Sequence, residues 1–228
     1  MKARFSMLGI ALTLAASGTA NAADGWQTIN AQCVACHAVK KPTVQGLDHI
    51  WQRKGPDLYY AGDKFRREWL VRWLQHPTVI RPAGVFYRKA VAAGVKDDTI
   101  AKKPARHMHL SEAQARAVAD TLMTLHGAKD HIETGAAPKS ASGGRIGKLF
   151  FVKLRGCAAC HQSARGEGGV SGPELYDAGA RLQPDYIYSY TKNPQAFDPH
   201  VWMPRLELSS RDLGRLTGYL MSLDGKEE

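Results

Sequence analysis

Cysteine is scarce in this chain, since its 228 residues include only four. That number excludes a scaffold stapled by disulfides, because such scaffolds are dense in cysteine. Long apolar runs are also missing: the longest, residues 7–16, is about half of the roughly 20 residues that a membrane-spanning helix needs. No alternating pattern typical of β-strands is present. A disordered chain is excluded too, since 44% of the residues are apolar and 23% are charged.

The N-terminus has the three-part pattern of a secretory signal peptide. Lys2 and Arg4 precede the apolar run, and small residues at 20–22 provide a cleavage point. We therefore predict that residues 1–22 are a signal peptide, that the protein is periplasmic, and that the mature chain has no transmembrane segment.

All four cysteines lie in two copies of one motif, CVACH at residues 33–37 and CAACH at 157–161. C-x-x-C-H is the attachment sequence of c-type haem. The spacing places two thiols one helical turn apart, where both can bind one porphyrin, and the histidine follows as the proximal iron ligand. We predict two haem c groups. The predicted covalent attachment residues are Cys33, Cys36, Cys157 and Cys160, and the predicted proximal ligands are His37 and His161.

Three other interpretations of the motif are weaker. A thioredoxin-like dithiol does not require a histidine after each cysteine pair. A tetrahedral zinc site is poorly served by a histidine adjacent to the second cysteine. Two disulfides would suit an exported chain but leave both histidines unexplained.

The chain is a tandem repeat. Residues 55–59, GPDLY, recur as GPELY at 172–176, an offset of 117, and the sequence LSEAQARAVADTLMTL from Leu110 resembles LSSRDLGRLTGYLMSL from Leu208. Residues 128–144 are small and polar without apolar periodicity, which is typical of a linker. We therefore predict domains at 23–127 and 145–228, joined by a flexible linker.

Each unit has the same predicted helices. A short helix leads into the motif, and a second helix carries an aromatic pair and ends at a proline. A final helix begins after Ser111 or Ser209, and Ser111 forms a capping box with Gln114. The aromatic pairs are Trp69 with Trp73 and Tyr186 with Tyr190. The fold class is therefore all-α.

The methionines provide the candidate distal ligands for the two irons. Met203 and Met108 lie in loops just before the two final helices, whereas Met123 and Met221 lie within those helices, where core packing explains them. We predict Met203 and Met108 as distal ligands, because a thioether is a soft ligand for iron. Histidines flank Met108 on both sides, so His107 and His109 remain alternatives.

These residues together resemble class I cytochromes c, and the duplication is similar to tandem di-haem cytochromes of the c-four type. The resemblance implies two small α-helical domains, each around one haem. It also implies that loop carbonyls at Pro56 and Pro173 orient the proximal histidines. It places the two aromatic pairs at the porphyrin edge, although core packing explains them nearly as well.

The resemblance implies an exported electron carrier. Its expected partners are acidic redox proteins that donate and accept electrons, including a membrane oxidase or dehydrogenase. Two alternatives are a di-haem oxidoreductase, peroxidase-like or thiosulfate-oxidising, and the cytochrome subunit of a dehydrogenase complex. Nucleic acid is not an expected partner, because no recognised binding motif accompanies the basic residues.

One region departs from the repeat. The step from Pro77 to Met108 is 31 residues, whereas the step from Pro194 to Met203 is only 9. The inserted segment, residues 78–107, carries seven cations against two anions, and it accounts for half of the chain's net charge of +10. Two hypotheses follow: the inserted segment steers an acidic partner to the first haem, or it is a solvated loop.

Overall fold

Helices dominate the computed structural model, which describes residues 22–95, 98–141 and 144–226. The all-α class expected from the sequence is confirmed at this level. None of the described helices is both long and apolar enough to cross a bilayer. The expected signal peptide at 1–22 lies, apart from Ala22, outside the described residues. The α-helices are α1 Ala22–Thr28, α2 Leu47–Gln52, α3 Ala61–Lys64, α4 Arg67–Gln75, α5 Glu112–Leu122, α6 Gly144–Leu149, α7 Ala178–Arg181, α8 Pro184–Lys192, α9 Pro194–Phe197 and α10 Ser210–Met221.

The two halves of the chain use the same helix pairing. The leading helix packs against the final helix in each half, α1 on α5 and α6 on α10. One glycine permits each close approach. A Cβ at Gly25 would lie 2.3 Å from the Ala117 carbonyl oxygen, and a Cβ at Gly147 would lie 2.8 Å from the Arg215 carbonyl oxygen. Each leading helix continues as a π-helical turn, Ile29–Cys33 or Phe150–Leu154, toward the C-x-x-C-H motif.

Helix ends follow the predicted signals. The Ser111 side chain accepts a hydrogen bond from the Gln114 N–H, and the Gln114 side chain accepts one from the Ser111 N–H, so the predicted capping box is confirmed. The Ser209 hydroxyl caps α10 by accepting from the Asp212 N–H at 3.2 Å. The helices with the aromatic pairs, α4 and α8, end just before Pro77 and Pro194, as predicted.

Two short hairpins differ from the expectation of no strands. β1 Val91–Ala92 pairs with β2 Thr99–Ile100, and β3 Gln162–Ala164 pairs with β4 Glu167–Gly168, both antiparallel. Strands of two or three residues are too short to show an alternating pattern, so the sequence gives no signal for them.

The halves meet in one continuous core around an approximate twofold axis. The Arg66 N–H donates to the Arg181 carbonyl at 2.8 Å, and the Gln183 N–H donates to the Lys64 carbonyl at 2.9 Å. Residues 66 and 183 occupy the same place in the repeat, as do 64 and 181. The two bonds are therefore reciprocal, which is the signature of a twofold contact.

The predicted linker is bound to the second half instead of extending freely into solvent. The Glu133 N–H donates to the Ser189 hydroxyl at 2.9 Å, and the Gly135 and Ala137 N–H groups donate to the Asp185 carboxylate at 2.8 and 3.1 Å. The polar composition of the linker shows that it has no core of its own, but it does not show which side chains satisfy its backbone donors.

Candidate haem sites

Both C-x-x-C-H motifs form the same turn. The His37 N–H donates to the Cys33 carbonyl at 3.0 Å, and the His161 N–H donates to the Cys157 carbonyl at 3.1 Å. All four cysteines are free thiols. Each turn therefore presents two thiols and one imidazole from five consecutive residues, which is the donor set that covalent haem attachment requires.

A carbonyl oxygen fixes each of the two predicted proximal histidines. The Nδ1 atom of His37 lies 2.7 Å from the Pro56 carbonyl oxygen, and that of His161 lies 2.8 Å from the Pro173 carbonyl oxygen. The hydrogen bonds implied by the resemblance are thus confirmed. With Nδ1 as the donor, Nε2 is left as the metal-binding atom. Burial lowers the pKa of both imidazoles, which favours the neutral form that binds a metal.

The residue before each of these prolines must be glycine, because the histidine ring leaves no space for a Cβ atom. A Cβ added at Gly55 would lie 2.4 Å from His37 Cε1, and one added at Gly172 would lie 2.6 Å from His161 Cε1. Contacts this short do not occur between real side chains, so any other residue would displace the imidazole ring. The Gly-Pro pair therefore both makes room for the ring and supplies its hydrogen-bond acceptor.

Three basic side chains, Lys64, Arg81 and Arg181, gather between the halves. Lys64 lies over the rings of Phe65 and Tyr186, with Nζ 5.0 and 5.6 Å from their centroids, and forms no ion pair among the described residues. Burial, together with the charges of Arg81 and Arg181, lowers the pKa of Lys64 to about 7. Arg181 is partly neutralised by Asp177, whose Oδ1 atom lies 3.1 Å from its guanidinium. An anionic group placed beside Lys64 would favour the charged form of that lysine.

The residues present fit haem. Four free thiols and two imidazoles with Nε2 available match the donor set of covalently attached haem. Among the described residues, no three His, Cys, Asp or Glu side chains gather to hold a metal ion by themselves.

Comparison with protein-family models, with curated proteins and with solved structures finds no match to this chain.

The aromatic pairs connect the core to the sites. Trp69 stacks on Phe65 and on Trp73, with both centroid distances 5.6 Å, and Trp73 contacts the ring of His107 at 4.7 Å. In the second half, Tyr186 and Tyr190 lie 5.3 Å apart. The first member of each pair is buried in the core and the second is half-buried. Core packing thus explains the inner ring, whereas the outer ring is available to a bound group.

The predicted distal residues differ in their surroundings. Met203 is half-buried, and its carbonyl oxygen accepts from Gln195 Nε2 at 2.8 Å. Met108 is 40% exposed. His109 is also exposed, and its Nδ1 atom lies 3.0 Å from the Gln75 carbonyl oxygen. The structure instead brings His107 near His37, the predicted proximal ligand, with their ring centroids 6.2 Å apart.

Sequence reasoning missed two features of the sites. The first is the cationic group, although Lys64 and Arg181 are related by the 117-residue offset and could have been found as a repeated pair. The second is a hydrogen bond between the inserted segment and the second half. The Glu174 N–H, next to Pro173, donates to the Ile80 carbonyl at 2.7 Å. No sequence pattern indicates that contact.

Proposed function

We propose that the chain is an exported di-haem c-type cytochrome that transfers electrons between redox partner proteins. The observation that carries the proposal is the pair of equivalent sites. Each combines two free thiols with an imidazole whose Nδ1 atom is held by a proline carbonyl and whose Nε2 atom is free. Such a site is built to hold a porphyrin rigidly and to bind its iron from one side.

Bound haem would supply one-electron redox chemistry. The chain's own residues then have separate tasks. Cys33, Cys36 and their counterparts would hold the porphyrin, and the two histidines would bind iron. The carbonyls of Pro56 and Pro173 orient the imidazoles, and burial keeps the imidazoles neutral. Fixed ligands favour electron transfer because little rearrangement accompanies the change of oxidation state.

The contact between the halves supports a carrier with two connected centres. The halves share one core, and reciprocal backbone bonds fix their relative position. In the proposed carrier, an electron that enters at one haem would pass to the other within the same molecule. Acidic redox proteins, including a membrane oxidase or dehydrogenase, are the proposed partners.

The first test is the number of haems. We expect two covalently bound haems per chain when the protein is produced with a c-type haem maturation system, measured by the pyridine haemochrome method and by mass. C33S/C36S and C157S/C160S should each retain one haem. A wild-type chain that matures without covalent haem would contradict the proposal.

The spin state separates the carrier from the oxidoreductase alternative. Two low-spin, six-coordinate haems are expected of a carrier. A high-spin haem that binds added cyanide in the wild-type protein would favour the peroxidase-like or thiosulfate-oxidising alternative.

A further inference from the structure

We infer that His107, rather than Met108, is the distal ligand of the iron in the first half. The inference rests on the proposed function, because it concerns a haem attached at Cys33 and Cys36. It begins with the 6.2 Å between the ring centroids of His37 and His107.

This distance matches two imidazoles that share one metal. An imidazole nitrogen binds a metal at about 2.0–2.1 Å, so two rings on opposite sides of one ion have centroids roughly 6 Å apart. Rings in simple contact can have the same spacing, since aromatic pairs range over about 4.5–7 Å. The hydrogen bonds of the two rings show which nitrogen of each ring is left to bind a metal.

Both rings use Nδ1 for a backbone carbonyl. His37 Nδ1 lies 2.7 Å from the Pro56 oxygen, and His107 Nδ1 lies 2.9 Å from the Met108 oxygen. When Nδ1 donates, Nε2 becomes the acceptor nitrogen, which is the form that ligates a metal. Both neighbouring imidazoles are thus left with Nε2 able to bind the same metal ion.

The position of His107 is supported from α4. Its ring contacts Trp73 at 4.7 Å, and Trp73 is held by stacking on Trp69 and by donating from Nε1 to the Thr78 carbonyl at 3.2 Å. Because these two contacts hold the Trp73 indole in place, it limits the rotation of the His107 imidazole beside it.

The competing residues lack the approach to His37, although the Nδ1 atom of His109 also lies 3.0 Å from a backbone carbonyl oxygen, that of Gln75. The Met108 side chain is exposed, and the first half has no Met-Pro pair like the one at Met203 and Pro204. His109 is exposed, and no ring contact joins it to His37 among the described residues. The first iron would thus have two imidazoles and the second an imidazole and a thioether. Since methionine raises the potential relative to a second imidazole, the first haem would have the lower potential.

The test uses the matured protein with two covalent haems, as first established by the haemochrome measurement. Electron paramagnetic resonance of the oxidised wild type should show one bis-imidazole signal, and the thioether charge-transfer band should correspond to one haem. In Met203→Ala that band should vanish completely. Any thioether band that remains in Met203→Ala would belong to Met108 and overturn the inference.

His107→Ala provides the second measurement. We expect it to abolish the bis-imidazole signal, and added imidazole should restore that signal. The matched control, His109→Ala, should leave both the signal and the potentials unchanged. Persistence of the bis-imidazole signal in His107→Ala would overturn the inference, whereas absence of covalent haem would contradict the proposed function instead.

Discussion

At the scale of single residues, the Gly-Pro pair is the most constrained part of each site. Gly55 and Gly172 lie so close to the proximal rings that a methyl group has no space, and the prolines after them supply the carbonyls that hold those rings. Steric and hydrogen-bonding requirements thus converge on two adjacent residues. The repeat of this arrangement in both halves indicates that the imidazole orientation is needed twice.

Substituting this glycine tests the constraint. In Gly55→Ala the imidazole of His37 must shift, and we expect a loss of about 1–3 kcal/mol in the free energy of unfolding, as for other overpacked sites. Denaturant unfolding followed by circular dichroism measures this loss. The spectrum of the first haem should change as well.

Gly214→Ala is the matched control. Gly214 lies within α10, where an added Cβ meets only Pro138 at 4.0 Å. Replacing a helical glycine with alanine should stabilise the protein by about 0.5–1 kcal/mol. If Gly55→Ala behaved like this control, the close approach at His37 would not be a constraint.

The sequence is enough to predict the cysteines that would attach haem and the histidines that directly follow them. The predicted attachment thiols and the predicted proximal histidine of each motif lie within five consecutive residues, so spacing alone places them. The proposed distal ligand of the first half comes from a segment about 70 residues away, and three adjacent candidates, His107, Met108 and His109, share that position in the sequence. Choosing among them requires knowing which ring Trp73 contacts, and that depends on tertiary packing.

At the scale of elements, the inserted segment links the two halves. Its aromatic residues form a chain of contacts: Phe86 lies 5.0 Å from Trp51, and Tyr87 lies 5.3 Å from Trp202 in an edge-to-face arrangement. Trp202 precedes Met203, the predicted distal ligand of the second half. The inserted segment therefore braces the loop that carries this ligand.

Removing one aromatic contact tests the brace. In Tyr87→Ala, Trp202 loses its edge-to-face partner, a contact of about 0.5–1.5 kcal/mol. We expect the thioether band of the second haem to disappear at a lower temperature than in the wild type, as followed by absorbance during heating.

Val95→Ala provides the comparison within the inserted segment. The Val95 side chain is fully exposed, so this variant should melt like the wild type. Equal melting of Tyr87→Ala and the wild type would show that the inserted segment does not support the loop. The sequence identified the inserted segment by its length and charge, but not this contact, because aromatic residues separated by 115 positions carry no local signal.

At the scale of the whole molecule, positive charge is concentrated in one half. Residues 24–127 carry 16 cations against 9 anions, whereas residues 145–228 carry 11 against 10. In the structure, Lys89 is engaged internally, since Nζ donates to the Trp51 carbonyl and lies 4.7 Å from the Trp51 ring centroid. The exposed cations of the inserted segment available for long-range attraction include Arg88, Lys102 and Lys103.

These exposed cations predict a salt-dependent reaction with acidic partners. Steering by surface charge raises association rates by roughly tenfold or more at low ionic strength, and it is screened beyond about 8 Å at 0.15 M salt. We expect R88Q/K102Q/K103Q to lose about that factor in the rate of reduction by a small anionic redox complex at low salt. A neutral complex should react with both proteins at the same rate.

The control variant changes the same number of charges in the other half. K148Q/K153Q/R211Q removes three exposed cations there, so a general effect of net charge would alter both triple variants equally. A steep salt dependence retained only in the control variant would assign the steering to the inserted segment. Equal slopes in the two variants would instead make the inserted segment a brace between the halves with no part in partner attraction. Stopped-flow rates measured over a series of salt concentrations distinguish the two outcomes.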